Sequence, residues 1–220
     1  MSPFAELPEL LKEDFALRKK LLVDGKLFGG YNSEMEALHN RNGAILERLL
    51  SEHGWPNLER DGEAIQQAAW YIVMHSISMP PLQRMVLGLL MSDSHGLPPT
   101  HIAMLEDRVL IYSGKRQLYG TQMDMNAEGV LIPSPIEDED HVDERRAVVG
   151  FPRLASALAQ AREKEQHEGE VVNYDFADYW KGRFAWMLRV GWIGDLSEVD
   201  QAYFNHAGLE PVRLNALGLS

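Results

Sequence analysis

Apolar residues recur at helical spacing through the first half of the chain, and Gly or Pro interrupts each series. In the segment 7–23, the apolar side chains are spaced by four or seven residues, which is the period of one helix face. The segment 33–53 begins with Ser33, a candidate N-cap, and Glu36 follows three residues later, a pattern typical of a helix N-terminus. Gly54 predicts that the helix ends at residue 53, because Gly is common just after the last residue of a helix. These patterns indicate a mainly α-helical fold.

The helical period continues and then gives way to alternation. The same period predicts further helices over 61–75, 80–90 and 98–109. The last two begin with Pro, which is tolerated in the first turn of a helix. Polar and apolar residues then roughly alternate, and a turn sequence precedes a short β-branched run. We therefore predict one β-hairpin, over residues 117–132.

The predicted fold class is mainly α (α+β), organised in three parts. Residues 1–32 form an N-terminal helix and linker, and residues 34–154 form a main domain with a helical, bundle-like core that contains the hairpin. Residues 155–220 form a helical extension that is too rich in aromatic residues to be a disordered tail. We expect the extension to pack on the main domain, because burying large apolar side chains stabilises a fold. The contacts that we expect involve Trp180, Phe184 and Trp186.

Composition narrows the classes of function. The chain has 21 Lys and Arg against 33 Asp and Glu, a net charge of −12, which argues against nucleic acid and anionic membranes as partners. It has no Cys, which excludes disulfides, thiolate nucleophiles and zinc–thiolate sites and fits a reducing cytoplasm. No apolar run approaches the ~20 residues that span a bilayer. We expect a soluble cytoplasmic protein that binds a small polar or anionic ligand or a protein partner.

Three strings in the second half of the chain stand out together. They are QLYGTQ at 117–122, PIED at 135–138 and VDERR at 142–146. In this combination and spacing the chain resembles a bacterial family of unknown function, with YGTQ and PIED-x-x-x-VD-x-RR motifs, over residues 34–154. The resemblance implies a mainly helical fold and brings no established activity.

The chain departs from that family pattern after His75. The family often has His-Ala-Asp followed by Asp-Pro at this point, whereas this chain has Ile77 and Met79 at the two acidic positions. If those carboxylates bind a metal or transfer protons in the family, that chemistry is absent here.

His75 is the candidate catalytic residue. An imidazole can act as a base or an acid near neutral pH, and the predicted helix places His75 on a buried face. The alternative is a core histidine whose ring bonds a backbone carbonyl.

The predicted hairpin supplies four candidate ligand-binding residues. Alternation places Gln117, Tyr119 and Thr121 on one face of a strand and Gln122 on the other. Their polar groups fit hydrogen bonds to a ligand, and they fit an exposed edge hairpin equally well. We also expect that a side chain at Gly120 would crowd a neighbouring element.

The segment after the hairpin supplies three more candidates, Asp138, Arg145 and Arg146. The two guanidinium groups can clamp a phosphate or carboxylate, or can pair with Asp138 and Asp143. The acidic residues here lack the pattern of an EF-hand loop and have an ordinary role at a helix start, so no metal site is predicted. The sequence identifies no cofactor.

Two functions from different classes remain open. The first is an enzyme or small-molecule-binding protein with a polar pocket between the His75 helix and the 117–132 hairpin. The second is a non-catalytic, acidic protein-binding module of a regulatory or immunity type, whose charge would recognise a basic partner.

Overall fold

A computed structural model of the chain describes residues 2–27, 30–126, 129–168 and 176–207. These residues form ten α-helices and one two-stranded antiparallel hairpin. The predicted fold class, mainly helical with one small hairpin, is confirmed. No helix of the described residues combines the length and the apolar character that crossing a membrane requires.

The chain divides into two compact units, residues 1–102 and residues 103–220. The prediction divides the chain into three parts at other boundaries. These two units do not test that division, which stays a prediction.

Five helices lie in the first unit. They are α1 (Leu7–Val23), α2 (Ser33–His53), α3 (Leu58–Asp61), α4 (Glu63–His75) and α5 (Pro80–Ser92). The predicted bounds of α1 and α2 are confirmed, but the N-cap of α2 is Asn32, whose side chain accepts hydrogen bonds from the N–H groups of Glu34 and Met35. The helix predicted from Asp61 begins at Glu63 instead, because Asp61 ends α3 and Gly62, with a φ of +88°, separates the two helices.

Helices α1, α2 and α4 pack against one another and form the core of the first unit. The buried face of α1 carries Leu7, Leu10, Asp14 and Leu21. Leu10 and Leu21 belong to the apolar period of this segment, but Phe15, another apolar residue of the segment, is 45% exposed. An acidic residue therefore lies on the face of α1 that the other two helices cover.

The second unit contains the hairpin and the remaining helices. These elements are α6 (Pro99–Tyr112), which begins just before the division, β1 (Met123–Met125), β2 (Leu131–Pro133), α7 (Val142–Val149), α8 (Leu154–Glu168), α9 (Phe176–Val190) and α10 (Gln201–His206).

The hairpin is shorter than predicted. Asp124 of β1 pairs with Ile132 of β2, and the first strand begins at Met123 rather than at Gln117. Gln117 makes only an isolated parallel bridge, to Ile136. Residues 127 and 128 of the predicted turn lie outside the described residues.

A buried carboxylate explains why residues 117–122 form a loop instead of a strand. Asp107 of α6 is fully buried and accepts hydrogen bonds from the N–H groups of Leu118, Tyr119 and Thr121 and from the Thr121 hydroxyl, at 2.7 to 3.0 Å. Three N–H groups within four residues that bind one carboxylate do not fit an extended strand, whose N–H groups alternate in direction. Strand pairing therefore starts only after this loop.

An aromatic cluster forms the core of the second unit. Trp180 and Phe184 of α9 are fully buried in it together with Ile111 of α6, and Trp186 is partly buried against it. Residues 169–175 and 208–220 of the predicted extension lie outside the described residues.

A buried ion pair joins α9 to β1. The Nη1 atom of Arg183 lies 2.6 Å from Oδ1 of Asp124, and the Ser134 hydroxyl donates to Oδ2 at 2.7 Å. Burial lowers the pKa of Arg183, but the facing Asp124 carboxylate and three nearby tyrosines together raise it more, so the net shift is upward and the guanidinium stays charged.

Candidate functional site

Two imidazoles and one carboxylate meet among the helices of the first unit. Asp14 lies on α1, His39 on α2, and His75 is the last residue of α4. Oδ2 of Asp14 lies 2.9 Å from Nδ1 of His75 and 2.9 Å from Nε2 of His39. We call these three residues the Asp–His–His cluster.

Helix packing brings these side chains together. Asp14 and His39 lie on the buried faces of α1 and α2, and both helices pack on α4, which ends at His75. Gly43, one turn after His39, allows the close approach, because a Cβ atom there would lie only 2.6 Å from the Ser76 hydroxyl oxygen. The chain just after His75 therefore lies directly against α2.

Asp14 is almost completely buried, and only one of its oxygens has partners. Burial by itself would raise its pKa, but the contacts with His39 and His75 outweigh burial and hold the pKa of this carboxyl well below its ordinary value. Within the described residues, Oδ1 of Asp14 has no hydrogen-bond partner. A buried carboxylate oxygen without a donor is unusual and calls for an explanation.

His39 is held from the side opposite Asp14. Its Nδ1 atom lies 2.6 Å from the Tyr31 hydroxyl, which in turn donates to the backbone carbonyl of His75 at 3.4 Å. Its Nε2 atom, although close to Asp14, makes no aligned hydrogen bond within the described residues. The Tyr31 contact fixes the plane of the ring while Nε2 points into the cluster.

His75 is the accessible member of the cluster. Its side chain is 26% exposed, against 1% for Asp14. The rings of Phe15 and Tyr71 pack edge-on against it. Its Nδ1 atom bonds a carboxylate, whereas the core alternative expected a backbone carbonyl.

Sequence reasoning singled out His75 but missed Asp14, His39 and Tyr31. The sequence does carry one signal, since Asp14 follows Leu10 by four residues and precedes Leu21 by seven, so an acidic side chain occupies a position of the apolar period. No comparable signal marks Tyr31.

A family model matches residues 6–164, and its family is described as one of unknown function, DUF6624. The chain belongs to this family. The match begins earlier than the 34–154 of the predicted resemblance and takes in the whole Asp–His–His cluster. No curated protein and no solved structure matches the chain.

The ligand-binding residues predicted on the hairpin lie in the second unit of this DUF6624 chain, in the loop 117–122. The Gln117 amide donates to the carbonyls of Gln122 and Ser134, at 2.8 and 2.7 Å, and accepts from the Gln122 N–H at 2.9 Å. The Gln122 side chain accepts from Nε of Arg108 at 3.2 Å.

Two further loop residues contact acidic side chains in the middle of α6. Thr121 donates twice to Asp107, and Tyr119 contacts Glu106. Burial raises the pKa of Tyr119, and the nearby carboxylates add to the shift. All these contacts shape the loop, and the ligand-binding role of its residues stays a prediction.

The two predicted arginines bind backbone carbonyls. Arg145 donates to the carbonyls of Leu118 and Asp138, at 2.8 and 2.9 Å, and its guanidinium lies 3.8 Å from the Asp138 carboxylate. Arg146 is 2% exposed and donates to the carbonyls of Tyr119 and Pro152. Both side chains hold the loop against α7.

The predicted pairing with Asp143 takes a different form. Asp143 accepts from the Leu154 N–H at 2.7 Å, at the start of α8. The expectation for Gly120 is confirmed, since its φ is +66° and a Cβ atom there would lie 2.8 Å from Cδ1 of Leu154.

Proposed function

We propose that the chain is an enzyme or small-molecule-binding protein whose ligand binds at the Asp–His–His cluster. One observation carries the proposal, the convergence of two imidazole nitrogens at 2.9 Å on a single buried carboxylate oxygen. A structural ion pair needs one partner and leaves no buried polar atom unsatisfied. Ionisable groups with strongly perturbed surroundings, such as Asp14, are concentrated at functional sites.

The exposure of the three residues assigns them different roles. His75 is the member that a ligand can reach, so it would contact the ligand directly. Asp14 and His39 lie behind it and would position its ring, as a carboxylate positions an imidazole in many active sites. Because the chain has no Cys, the reaction class that fits is a thiol-independent hydrolysis or group transfer on a small polar or anionic substrate.

A ligand screen tests the proposal directly. Wild-type protein labelled with ¹⁵N is mixed with a library of small polar and anionic metabolites, once free of metal and once with Zn²⁺, and the imidazole signals are followed by NMR. We expect bound ligands to shift the His75 ring signals. Asp14→Asn should weaken that binding about 10- to 100-fold, the equivalent of one charge-assisted hydrogen bond. His53→Gln, a partly exposed histidine at the end of α2, is the matched control and should bind normally.

The screen also separates the two classes of function. Ligands that bind Asp14→Asn as tightly as wild type, or that shift only signals of the second unit, would contradict the proposal. A folded protein that binds no member of the library would favour the acidic protein-binding module. The cytoplasmic location and the pocket against the hairpin stay predictions from the sequence.

A further inference from the structure

We infer that the Asp–His–His cluster is a binding site for a divalent transition-metal ion, with Asp14, His39 Nε2 and His75 Nδ1 as the protein ligands. The ligand atoms of these three residues all lie within 4.8 Å of one another, and two of the distances are 2.9 Å. The inference deepens the proposed function and rests on it for the use of the site, but metal binding itself is measured separately.

The two distances from Oδ2 of Asp14 to the imidazole nitrogens are close to those of a loaded site. A tetrahedral ion with bonds of about 2.0 to 2.1 Å holds its ligand atoms about 3.3 Å apart. Each imidazole nitrogen therefore needs to move away from Oδ2 of Asp14 by only about 0.4 Å. Asp14 also offers a second oxygen to the ion, because its Oδ1 atom is buried and has no hydrogen-bond partner among the residues that the structure describes.

The Tyr31 contact orients the His39 ring toward the cluster. The Tyr31 hydroxyl oxygen lies 2.6 Å from Nδ1 of His39, so that nitrogen has its own partner outside the cluster. Nε2, on the other side of the ring, lies 2.9 Å from Oδ2 of Asp14 and makes no aligned hydrogen bond in the part of the chain that the structure describes. A metal ion between these two atoms would take a lone pair from each of them.

The same contact is the usual outer support of a metal ligand. A metal-bound histidine almost always donates its second ring N–H to an oxygen, which fixes the ring and raises its basicity. Tyr31 supplies that oxygen for His39 at 2.6 Å.

The donor set selects the class of ion. Two imidazoles and one carboxylate suit Zn²⁺, Co²⁺ or Fe²⁺, whereas Mg²⁺ and Ca²⁺ prefer oxygen ligands alone. Three protein ligands leave at least one coordination position for water or substrate, as in catalytic rather than structural zinc sites. Since His75 is partly exposed, that position can be reached from solvent.

Zinc titration of the purified full-length chain, freed of metal by chelation, tests the inference. We expect one Zn²⁺ per chain by calorimetry and no comparable binding of Mg²⁺. In the ¹⁵N imidazole spectrum of the wild type, Zn²⁺ should shift the ring signals of His39 and His75 and leave those of His53 unchanged. Co²⁺ should bind at the same place and give the visible absorption of a low-symmetry site.

Variants then assign the ligands. Asp14→Asn and His39→Gln should each weaken Zn²⁺ binding more than about 100-fold, and Tyr31→Phe, which removes only the outer contact, about 10- to 100-fold. His53→Gln should bind as wild type does. Circular dichroism checks that each variant is folded. If a ligand variant does not fold, the Zn²⁺-induced shifts of the His39 and His75 signals in the wild-type NMR spectrum decide whether these residues bind the ion.

The inference is overturned if the wild type binds no Zn²⁺ at about 100 μM, or if Zn²⁺ shifts other histidines and spares His39 and His75. The two proposals fail separately. Zinc bound at the cluster in a protein that binds no metabolite overturns the proposed function alone, whereas metabolites bound at His75 in a protein that binds no zinc overturn the metal site alone.

Discussion

Replacing Asp107 by asparagine tests whether a buried carboxylate sets the course of the loop 117–122. Oδ1 of Asp107 accepts from the N–H groups of Leu118 and Tyr119, and Oδ2 accepts from the N–H group and the hydroxyl of Thr121. An asparagine keeps one of these two oxygens. In its better orientation the remaining oxygen serves Leu118 and Tyr119, and the NH₂ group faces Thr121. The Thr121 hydroxyl can rotate and accept a hydrogen bond, but its N–H group loses its acceptor.

The expected loss of stability follows from these contacts. One buried N–H without an acceptor costs about 1 to 3 kcal/mol, and each retained bond loses about 1 kcal/mol when its acceptor is no longer charged. Burial raises the pKa of the Asp107 carboxyl although its four hydrogen-bond donors lower it, which means that burying the charge costs free energy. Removing the charge in Asp107→Asn recovers part of that cost. We expect the free energy of unfolding to fall by about 2 to 4 kcal/mol.

Urea denaturation followed by circular dichroism measures this difference. Asp140→Asn changes the net charge equally at an exposed position and should alter the free energy of unfolding by less than about 0.5 kcal/mol. Amide hydrogen exchange gives a local measurement, because the Thr121 N–H should exchange faster in Asp107→Asn. Equal urea midpoints for the two variants, together with unchanged exchange at Thr121, would refute the reasoning.

Three further predictions concern the second unit. Gly120→Val should destabilise the protein by about 2 kcal/mol or more, through its positive φ and the crowding at its Cβ position, whereas Lys115→Ala should be nearly neutral; equal melting temperatures would contradict this. Arg183→Met should cost about 3 to 5 kcal/mol in denaturant unfolding, because it leaves Asp124 buried and unpaired, and the double variant with Asp124→Leu should recover much of the loss. Burial raises the pKa of Tyr203 above its unfolded value near 10. The stability that this shift contributes is therefore complete below pH ~10 and is lost as the pH rises further. Tyr203→Phe should flatten the alkaline limb of a curve of stability against pH, and an unchanged limb would reject this assignment.

The sequence alone determined those helices whose bounds depend on residues close by in the chain. The bounds of α1 and α2 follow from the apolar period and from the glycines and polar residues at the helix ends, all of which act within a few residues. Even there, the choice of Asn32 over Ser33 as the N-cap of α2 depended on backbone geometry, since both residue types are good caps.

The tertiary structure decided the form of the β-region. Alternation over 117–125 favours a strand, but Asp107, on a helix that precedes the segment, binds three of its N–H groups and holds 117–122 as a loop. Gln117, Arg145 and Arg146 then turn inward to the same loop. Side chains that a sequence presents as free to bind a ligand were therefore committed to backbone groups that only the folded chain brings near them.

The candidate site was decided by tertiary structure alone. The helical period predicts a buried face for His75 and puts Asp14 at an apolar position of α1, but it does not state which faces meet. Asp14 and His75 are 61 residues apart, and His39 lies between them on a third helix. Their convergence is set by how α1, α2 and α4 pack, because packing depends on the shapes of whole helix surfaces and on close approaches such as that at Gly43.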